Sequence, residues 1–368
     1  MVMPASRFWA GKRVLITGHT GFKGGWLCLW LEHLGARVQG YALAPVTNPC
    51  LHECARVSEG ITGRIADIRD RDAVLQTVRD FRPEIVIHLA AQPLVRLSYV
   101  EPVETYATNV MGTVHLLDAV RRTGSASVVV NVTSDKCYEN RETPEAYREE
   151  DPMGGFDPYS SSKGCAELVT SAYRRSFFSR EANGKPPVSL ASVRAGNVIG
   201  GGDWADDRVV PDLVRAANDG LPTVIRNPSA IRPWQHVLEP LHGYLLLAER
   251  LWSEGREFAE GWNFGPLDAH SHPVSWIADR FVEFWGKGAS WQSGAVPGQV
   301  HEAHFLRLDS SKARGSLGWQ PRWVIGDGLK NTVSWYQAYR DGADMRAYTI
   351  GQIKTYESTT LEHSHDPA

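Results

Sequence analysis

The segment KRVLITGHTGFKGGWLCLWLEHLG, residues 12–35, constrains the fold more than any other stretch of the chain. Val14, Leu15 and Ile16 form a short apolar run of strand type. Gly18, Gly21 and Gly24 follow at three-residue spacing, and an apolar segment of helical period runs from Trp26 to Leu34. Glycine in such a turn lets the backbone approach a pyrophosphate, and the free amides at a helix start supply partial positive charge for it. The spacing G-x-x-G-x-x-G differs from the commoner G-x-G-x-x-G, so the turn alone is also compatible with an ordinary glycine-rich β-to-α connection. Its place near the N-terminus, directly before a clean helix, favours dinucleotide binding.

The strand–helix alternation continues. ARVQGYAL reads as a second strand and GRIADI as a third, ending beside Asp67, with a helix starting in RDRDAVLQTV. EIVIHLAAQ, residues 84–92, reads as a buried fourth strand delivering the small-residue turn Ala90-Ala91. A long helix is expected over 103–122, a fifth strand over 126–132, and a helix from Tyr159 to about Phe178. The polar loop REANGKPP and a sixth strand, VSLASVRA, complete the pattern. Strands separated by helices of this length predict an α/β fold with a Rossmann-type, doubly wound parallel sheet. Beyond residue 196 the alternation breaks up and proline, glycine and tryptophan become frequent. The expected division is therefore a dinucleotide-binding domain over 1–196, with a later return of the chain near 236–265. A smaller substrate lobe takes most of 197–353, and a polar, mobile tail containing His363 and His365 spans 354–368.

Composition narrows the function classes. At 368 residues the chain can bury a large core, and 39 Lys+Arg against 42 Asp+Glu leave no field for a polyanion, so nucleic acid is not an expected partner. The N-terminus MVMPASRFWAGKR lacks the apolar stretch of a secretory signal, and no run approaches membrane-spanning length. Five scattered cysteines fit a reducing cytoplasm better than a disulfide framework. Cys50, His52 and Cys54 lie close in sequence, but two thiols and one imidazole do not complete a zinc site, and no metal is expected.

The chemistry concentrates in three places. Tyr159 and Lys163 in DPYSSSKG are four apart, which puts phenol and ammonium on one helix face; a cation held there would stabilise phenolate and let tyrosine act as a base. Such a pair is also common on surface helices. Ser134 closes the strand-like run ASVVVNVTS, where its hydroxyl could orient a sugar hydroxyl, and Asp135 and Lys136 follow directly. These two could be an acid and a base for an elimination, or charges that solvate a loop. Asn197, Arg208 and Arg232 could hold a diphosphate and ribose, since arginine offers paired donors to phosphate oxygens; Arg208 could instead pair with Asp206 or Asp207. His88 and His115 sit in apolar contexts and read as core histidines, and Trp26, Trp30 and Trp234 as packing. The second strand ends in Gly40-Tyr41-Ala42-Leu43-Ala44, with neither the carboxylate that usually binds the ribose of NAD nor a base for a 2′-phosphate.

Together these residues resemble the extended short-chain dehydrogenase/reductase superfamily, whose members work on nucleotide sugars, and the resemblance covers nearly the whole chain. TGHTGFKG is similar to the group's TGxxGFxG turn, HLAAQ to its HLAA turn and TNVMGT to its TNVxGT helix. RAGNVIGGGDW and RPWQHV are similar to R-x-x-N-V-x-G-P-G and R-D-x-x-x-V. The resemblance implies NAD as cofactor, held by Gly18, Thr20, Gly21, Phe22, Lys23 and Gly24 at the phosphates and by Asp67 and Ile68 at the adenine end. Leu89, Ala90, Ala91 and Gln92 would lie beside the nicotinamide ribose, with Asn109, Thr133, Tyr159 and Lys163 completing the site.

GFKGGWL, TSDKCY, GGGDWADDRVVPD and IRPWQHVLEPLHGYL look most like the branch that dehydrates CDP-glucose to CDP-4-dehydro-6-deoxy-D-glucose, a precursor of surface-polysaccharide dideoxysugars. That resemblance implies Ser134, Asp135, Lys136, Tyr159 and Lys163 as the catalytic set, with Tyr159 the base at the 4-hydroxyl. Related dTDP-glucose dehydratases carry Thr-Asp-Glu where this chain has Ser134-Asp135-Lys136, so the C5 base is left open. It also implies a homodimer through a four-helix bundle of the 103–122 and 159–178 helices, which carry Val110, Val114 and Leu117, and Leu168 and Tyr173. Two other readings stand beside this one: a dehydratase or 4-epimerase for dTDP-, GDP- or UDP-sugars, and a nonenzymatic dinucleotide-sensing scaffold. The nucleobase follows from the resemblance alone.

Overall fold

A computed structural model describes residues 3–179, 181, 187–267, 271–294 and 305–360. Seven strands form one sheet: β1 (Arg13–Thr17), β2 (Arg37–Ala42), β3 (Thr62–Ile65), β4 (Ile85–His88), β5 (Val128–Val132), β6 (Ser189–Ala195) and β7 (Gly261–Phe264). Their order is β7-β6-β5-β4-β1-β2-β3, and every neighbouring pair is parallel. β4 and β5 are buried at every position, which is why they read as unbroken apolar runs: helices cover both faces of the sheet. The six strands expected from the sequence are present. The seventh, β7, lies in the stretch where the chain was expected to return. β3 stops at Ile65, short of the expected GRIADI, because Asp67 turns its carboxylate back to accept from the Arg69 amide.

The longer helices are α1 (Phe22–His33), α2 (Arg71–Phe81), α3 (Gly112–Thr123), α4 (Pro158–Tyr173), α5 (Val209–Asp219), α6 (Leu238–Glu254), α7 (Val274–Trp285), α8 (Ile325–Arg340) and α9 (Met345–Ser358). α2 starts where Asp70 accepts hydrogen bonds from the amides of Asp72 and Ala73, and α4 where Asp157 accepts from Ser160 before Pro158 at the first turn. The expected helix over 103–122 is Pro102–Tyr106, a π turn at Ala107–Met111 and then α3; the Tyr159 helix likewise ends in a π turn, Arg174–Phe178.

α1 has no solvent face, since Gly24 to Leu31 are all buried. It lies against β1 and β2 and is covered by α6 and α9. Trp30 donates to Glu357 of α9 at 2.8 Å, and Arg346 of α9 pairs with Glu32. Residues 354–358 therefore belong to a helix and not to the expected tail: Ile353 and Tyr356 are fully buried, and Tyr356 donates to Glu239 of α6 at 2.7 Å. The rest of that tail from residue 361, with His363 and His365, lies outside the described residues, as does most of REANGKPP.

After β6 the chain makes short strand pairs instead of long ones. Thr223–Ile225 pairs with Trp291–Ser293, and Ile231–Arg232 with His272–Pro273. α5 and α7 pack beside them. The apolar residues expected on the 103–122 and 159–178 helices divide. Leu117 is in the core and Tyr173 packs against it, whereas Leu168 is 62% exposed together with Val103, Met111 and Phe177.

Candidate active site

A doubly wound sheet leaves a crevice where the strand order reverses, at the carboxyl ends of the strands. Here the reversal is between β1 and β4, and a cleft of about 550 Å³ opens there. Every site residue expected from the sequence lines it except Gln92 and Asn109. Those two lie behind the wall and shape it. The Asn109 carboxamide accepts from the Gln92 amide at 2.8 Å and donates to the Gln92 carbonyl at 3.0 Å and to Ser162 of α4 at 2.9 Å, locking the turn after β4 onto α4.

The glycine turn is built for close approach. Gly18 has φ +80°, and a Cβ there would meet the Ala90 nitrogen at 2.8 Å; a Cβ on Gly24 would meet the Gly18 carbonyl oxygen at 2.1 Å. The two turns that follow β1 and β4 thus touch, and the first amides of α1 face the cleft. Thr20 donates to the Leu43 carbonyl at 2.9 Å, and the Tyr41 hydroxyl to the Asp67 carbonyl at 2.7 Å, which closes the outer end. The Asp67 carboxylate is held by the Arg69 guanidinium, which keeps it below the usual carboxylate range. A glycine turn at a helix start, with Lys23 beside it, fits a dinucleotide pyrophosphate.

At the end of β5, Ser134 accepts from the Lys136 amide at 3.2 Å and donates to Asp135 at 3.0 Å, so one hydroxyl caps the turn Asp135–Cys137. Tyr159 meets Ser134 by a hydrogen bond of its side chain. Burial pushes the Tyr159 phenol up to about 12; the Ser134 bond and Arg208 act the other way. Burial also pushes Lys163 down to about 8, and its ammonium reaches the Val132 carbonyl at 3.4 Å. The cost of burying a phenolate therefore outweighs the groups that lower the phenol, and these are Ser134 and Arg208 and not the expected Lys163. Asp135 is raised, chiefly by burial, against the pull of Lys136, Arg232 and Lys23, and its Oδ2 is buried with no hydrogen-bond partner. A carboxyl biased toward its protonated form, beside an amine, suits proton delivery to a leaving group. Lys23 of the glycine turn lines the same space, lowered to about 8 mainly by burial.

Arg208 pairs with Asp203 at 2.7 Å, and not with Asp206 or Asp207. Asp206 pairs with Arg215 instead. Asp207 lies between Arg96 and Arg226, each 3.3 Å from the same carboxylate oxygen. Arg232 is 8% exposed and donates to the Ile231 carbonyl, and Asn197 holds the Gln235 amide with its own carbonyl at 3.0 Å. His88 is a core histidine, as expected: Thr17 and Thr113 bond its two ring nitrogens, and burial lowers it to about 3. His115 is only half-buried and bonds to the Ile68 carbonyl. Trp26, Trp30 and Trp234 are packed as expected, with Trp26 donating to Gly201. Among the described residues no cluster of His, Cys, Asp or Glu could hold a metal ion.

A model of the NAD dependent epimerase/dehydratase family matches residues 14–258. The chain belongs to this family. It is 55% identical over 353 residues to a CDP-glucose 4,6-dehydratase of Salmonella typhimurium, covering 96% of this chain and 98% of that one. It is 28% identical over 261 residues to a dTDP-glucose 4,6-dehydratase of Actinoplanes, covering 70% and 75%. In fold it is similar to a UDP-glucose 4-epimerase of Stenotrophomonas maltophila with bound NAD, at TM-score 0.77 and 22% identity over 90% of this chain and 100% of that one. A dTDP-glucose 4,6-dehydratase of Streptomyces venezuelae with NAD bound aligns at TM-score 0.75 and 23% identity, covering 90% and 99%.

Within this epimerase/dehydratase frame, sequence reasoning missed the layer beneath the reacting groups. Glu167, one helical turn after Lys163, accepts from Thr133, from Ser192 at 2.6 Å and from both forks of Arg194 at 2.9 Å. Arg194 also donates to the Tyr138 hydroxyl at 2.6 Å, which donates to Asn263 of β7 at 2.7 Å. The only hint was the i+4 spacing of Glu167 from Lys163, which placed a carboxylate on the face that carries Tyr159 and Lys163. His19 was missed too. It is fully buried in a pocket that Gly40 and Gly63 leave open, where a Cβ would stand 2.4 Å and 3.0 Å from its ring. A glycine in the interior of a strand is the signal for such a close approach.

Proposed function

We propose that the protein dehydrates CDP-D-glucose to CDP-4-dehydro-6-deoxy-D-glucose. The observation that carries this is the 55% identity to a CDP-glucose 4,6-dehydratase across 96% of the chain. NAD, when bound, supplies the hydride acceptor at C4 and the donor at C6, so no external oxidant is consumed. The chain's own groups supply the proton chemistry. Ser134 orients the 4-oxygen and Tyr159 takes the 4-hydroxyl proton, with Lys163 and Arg208 as the cations that favour phenolate. Once C4 is a ketone, Lys136 takes the proton from C5, the C6–oxygen bond breaks, and Asp135 gives the departing hydroxyl its proton so that water leaves. Hydride arriving at C6 is matched by a proton returned to C5, so the two protons taken, from the 4-hydroxyl and from C5, balance the two given, to the 6-oxygen and to C5. Gly18 to Gly24, Asp67, Ile68 and the turn from Leu89 to Gln92 hold the cofactor, while Asn197, Arg208 and Arg232 face the sugar nucleotide.

The domain reading is a nucleotide-binding part formed by 1–196 with the return at 236–265, and a substrate lobe from the remainder of 197–353. The protein acts as a homodimer: Val103, Met111, Leu168 and Phe177 expose an apolar face on the helices at 102–123 and 158–178, and a second copy covers it. It works in the cytoplasm, which suits its five unpaired cysteines, and no helix of the described residues is long and apolar enough to cross a membrane. Two experiments test the assignment. CDP-glucose should give a 6-deoxy-4-keto product without net NADH, and faster turnover of dTDP-glucose would overturn the substrate. Asp135→Asn and Lys136→Met should each accumulate enzyme-bound NADH absorbance with little dehydrated product; normal turnover by Lys136→Met would move the C5 base elsewhere.

A further inference from the structure

The dehydration balances its protons over the whole reaction but not over the individual residues. The proton taken from C5 is matched by one returned there. Tyr159, however, ends each turnover holding the proton of the 4-hydroxyl, and Asp135 ends it without the one given to the 6-oxygen. Neither group can act again until one proton has moved from the phenol to the carboxylate. Both are buried, at 8% and 3% exposure, so ready exchange with bulk water is not built in.

A hydrogen-bonded bridge joins the two. Tyr159 bonds to Ser134, and Ser134 donates to Asp135 Oδ1 at 3.0 Å and accepts from the Lys136 amide at 3.2 Å. A hydroxyl has one proton to give and two lone pairs to accept with. With its proton committed to Asp135 and one lone pair to the Lys136 amide, Ser134 has an acceptor left for the phenol. The chain therefore runs from phenol to serine to carboxylate, which is the arrangement that follows the departure of water. The surroundings of Asp135 supply no proton from behind: its Oδ2 is buried with no hydrogen-bond partner, and so is the hydroxyl of Tyr244, a residue of α6 that feels the Asp135 charge. The Lys163 ammonium is turned to the Val132 carbonyl. Burial does not oppose the shift, because one negative charge is buried before and after it and only its place changes. Cations stand at both ends, Arg208 at the phenol and Lys136, Arg232 and Lys23 at the carboxyl.

We infer that Ser134 relays the proton from Tyr159 to Asp135 between turnovers, so that the hydrogen taken from the 4-hydroxyl of one substrate molecule leaves in the water of the next. This rests on the reading of the protein as a nucleotide-sugar 4,6-dehydratase. The phenol O–H bond breaks as its proton passes to Ser134 Oγ, and the serine O–H bond breaks as its own proton passes to Asp135 Oδ1. The phenol becomes phenolate, the carboxylate becomes a carboxylic acid and the serine is unchanged, which restores the base and the acid together.

The test uses the NAD-loaded enzyme and compares CDP-glucose with CDP-6-deoxy-6-fluoroglucose over a range of imidazole concentrations at fixed pH and ionic strength. Fluoride leaves C6 without needing a proton, so Asp135 stays protonated and the relay has no empty acceptor. Wild-type turnover of CDP-glucose should be indifferent to imidazole. Turnover of the fluoro analogue should slow after one product per enzyme and rise severalfold with imidazole, which carries the Tyr159 proton to water. Ser134→Ala should turn over CDP-glucose about a hundredfold or more slowly and respond to imidazole in the steady state but not in the first turnover. Ser134→Thr, which keeps a hydroxyl, should return to indifference; a serine that only caps its turn would produce none of these buffer effects. Equal imidazole dependence of the two substrates in the wild type, or none for either, overturns the inference even where Ser134→Ala does not fold. So does a folded Ser134→Ala enzyme whose steady state ignores imidazole. A protein that leaves CDP-glucose untouched refutes the substrate assignment instead, and the comparison then runs on the hydroxyl and fluoro forms of the nucleotide sugar it accepts.

Discussion

The floor and the rim of the cleft hold similar numbers of charges and treat them in opposite ways. On the floor, Glu167 and Arg194 are each 5% exposed, and every oxygen of the carboxylate has a donor. At the rim, Asp207 offers one oxygen to two arginines at 3.3 Å while a third or more of Arg96 and Asp207 faces solvent or nearly so. Burial and a full set of partners fix the first pair in place, whereas the second set stays half-wet and under-filled.

The largest effect should come from the group proposed above as the base. Tyr159→Phe removes one hydroxyl and should cut turnover by about a hundred- to ten-thousand-fold while leaving cofactor content and CDP affinity close to wild type. A variant with half its activity would show that another group takes the 4-hydroxyl proton. Next, Arg194→Met leaves the Glu167 carboxylate buried without its cation and should cost about 3–5 kcal/mol in urea unfolding. A loss as small as that of a surface pair would break the distinction between floor and rim.

The pH response follows from the same buried layer. His88 is depressed to about 3 by burial, so its contribution is present above its unfolded value of 6.5 and is lost as the pH falls from there toward 3. Glu167 is also held below its usual range, with Arg194 and the Ser192 and Thr133 hydroxyls outweighing burial, so its contribution is lost at the acid end, below 4.5. The thermal midpoint should therefore decline on acidification from about pH 6.5. His88→Asn should flatten the slope between pH 6.5 and 4.5, and an unaltered slope would remove the histidine from this account. The smallest effect belongs to the rim: Asp207→Asn should change unfolding free energy by less than about 1 kcal/mol. A large loss there would make Asp207 a structural residue.

Much of this was legible in the sequence because it depends on local pattern. Apolar runs marked six strands, RDRDAVLQTV marked a helix start, and the small residues at 18–24 and 90–91 marked two turns. What could not be read were partnerships across the sheet. Arg208 had three nearby aspartates in sequence, and the choice of Asp203 depends on how the loop after β6 folds back. Asn109 and Gln92 belong to the site motifs, yet they support the wall from behind. Residues 354–358 look polar, and only the approach of Glu239, more than a hundred positions earlier, makes Tyr356 a core residue. The phenol of Tyr159 shows the same limit: four-residue spacing from a lysine suggested a lowered phenol, and burial, which spacing does not reveal, raises it instead.

α1, buried on all sides, has a consequence for folding. The glycine turn at its start is made within the first two dozen residues, but the helix keeps an uncovered apolar face until α9 arrives; the bond from Trp30 to Glu357 spans 327 positions. The cover of α1 thus depends on a contact of very long sequence separation, which makes it one of the costliest closures in folding and leaves this face to be sealed late.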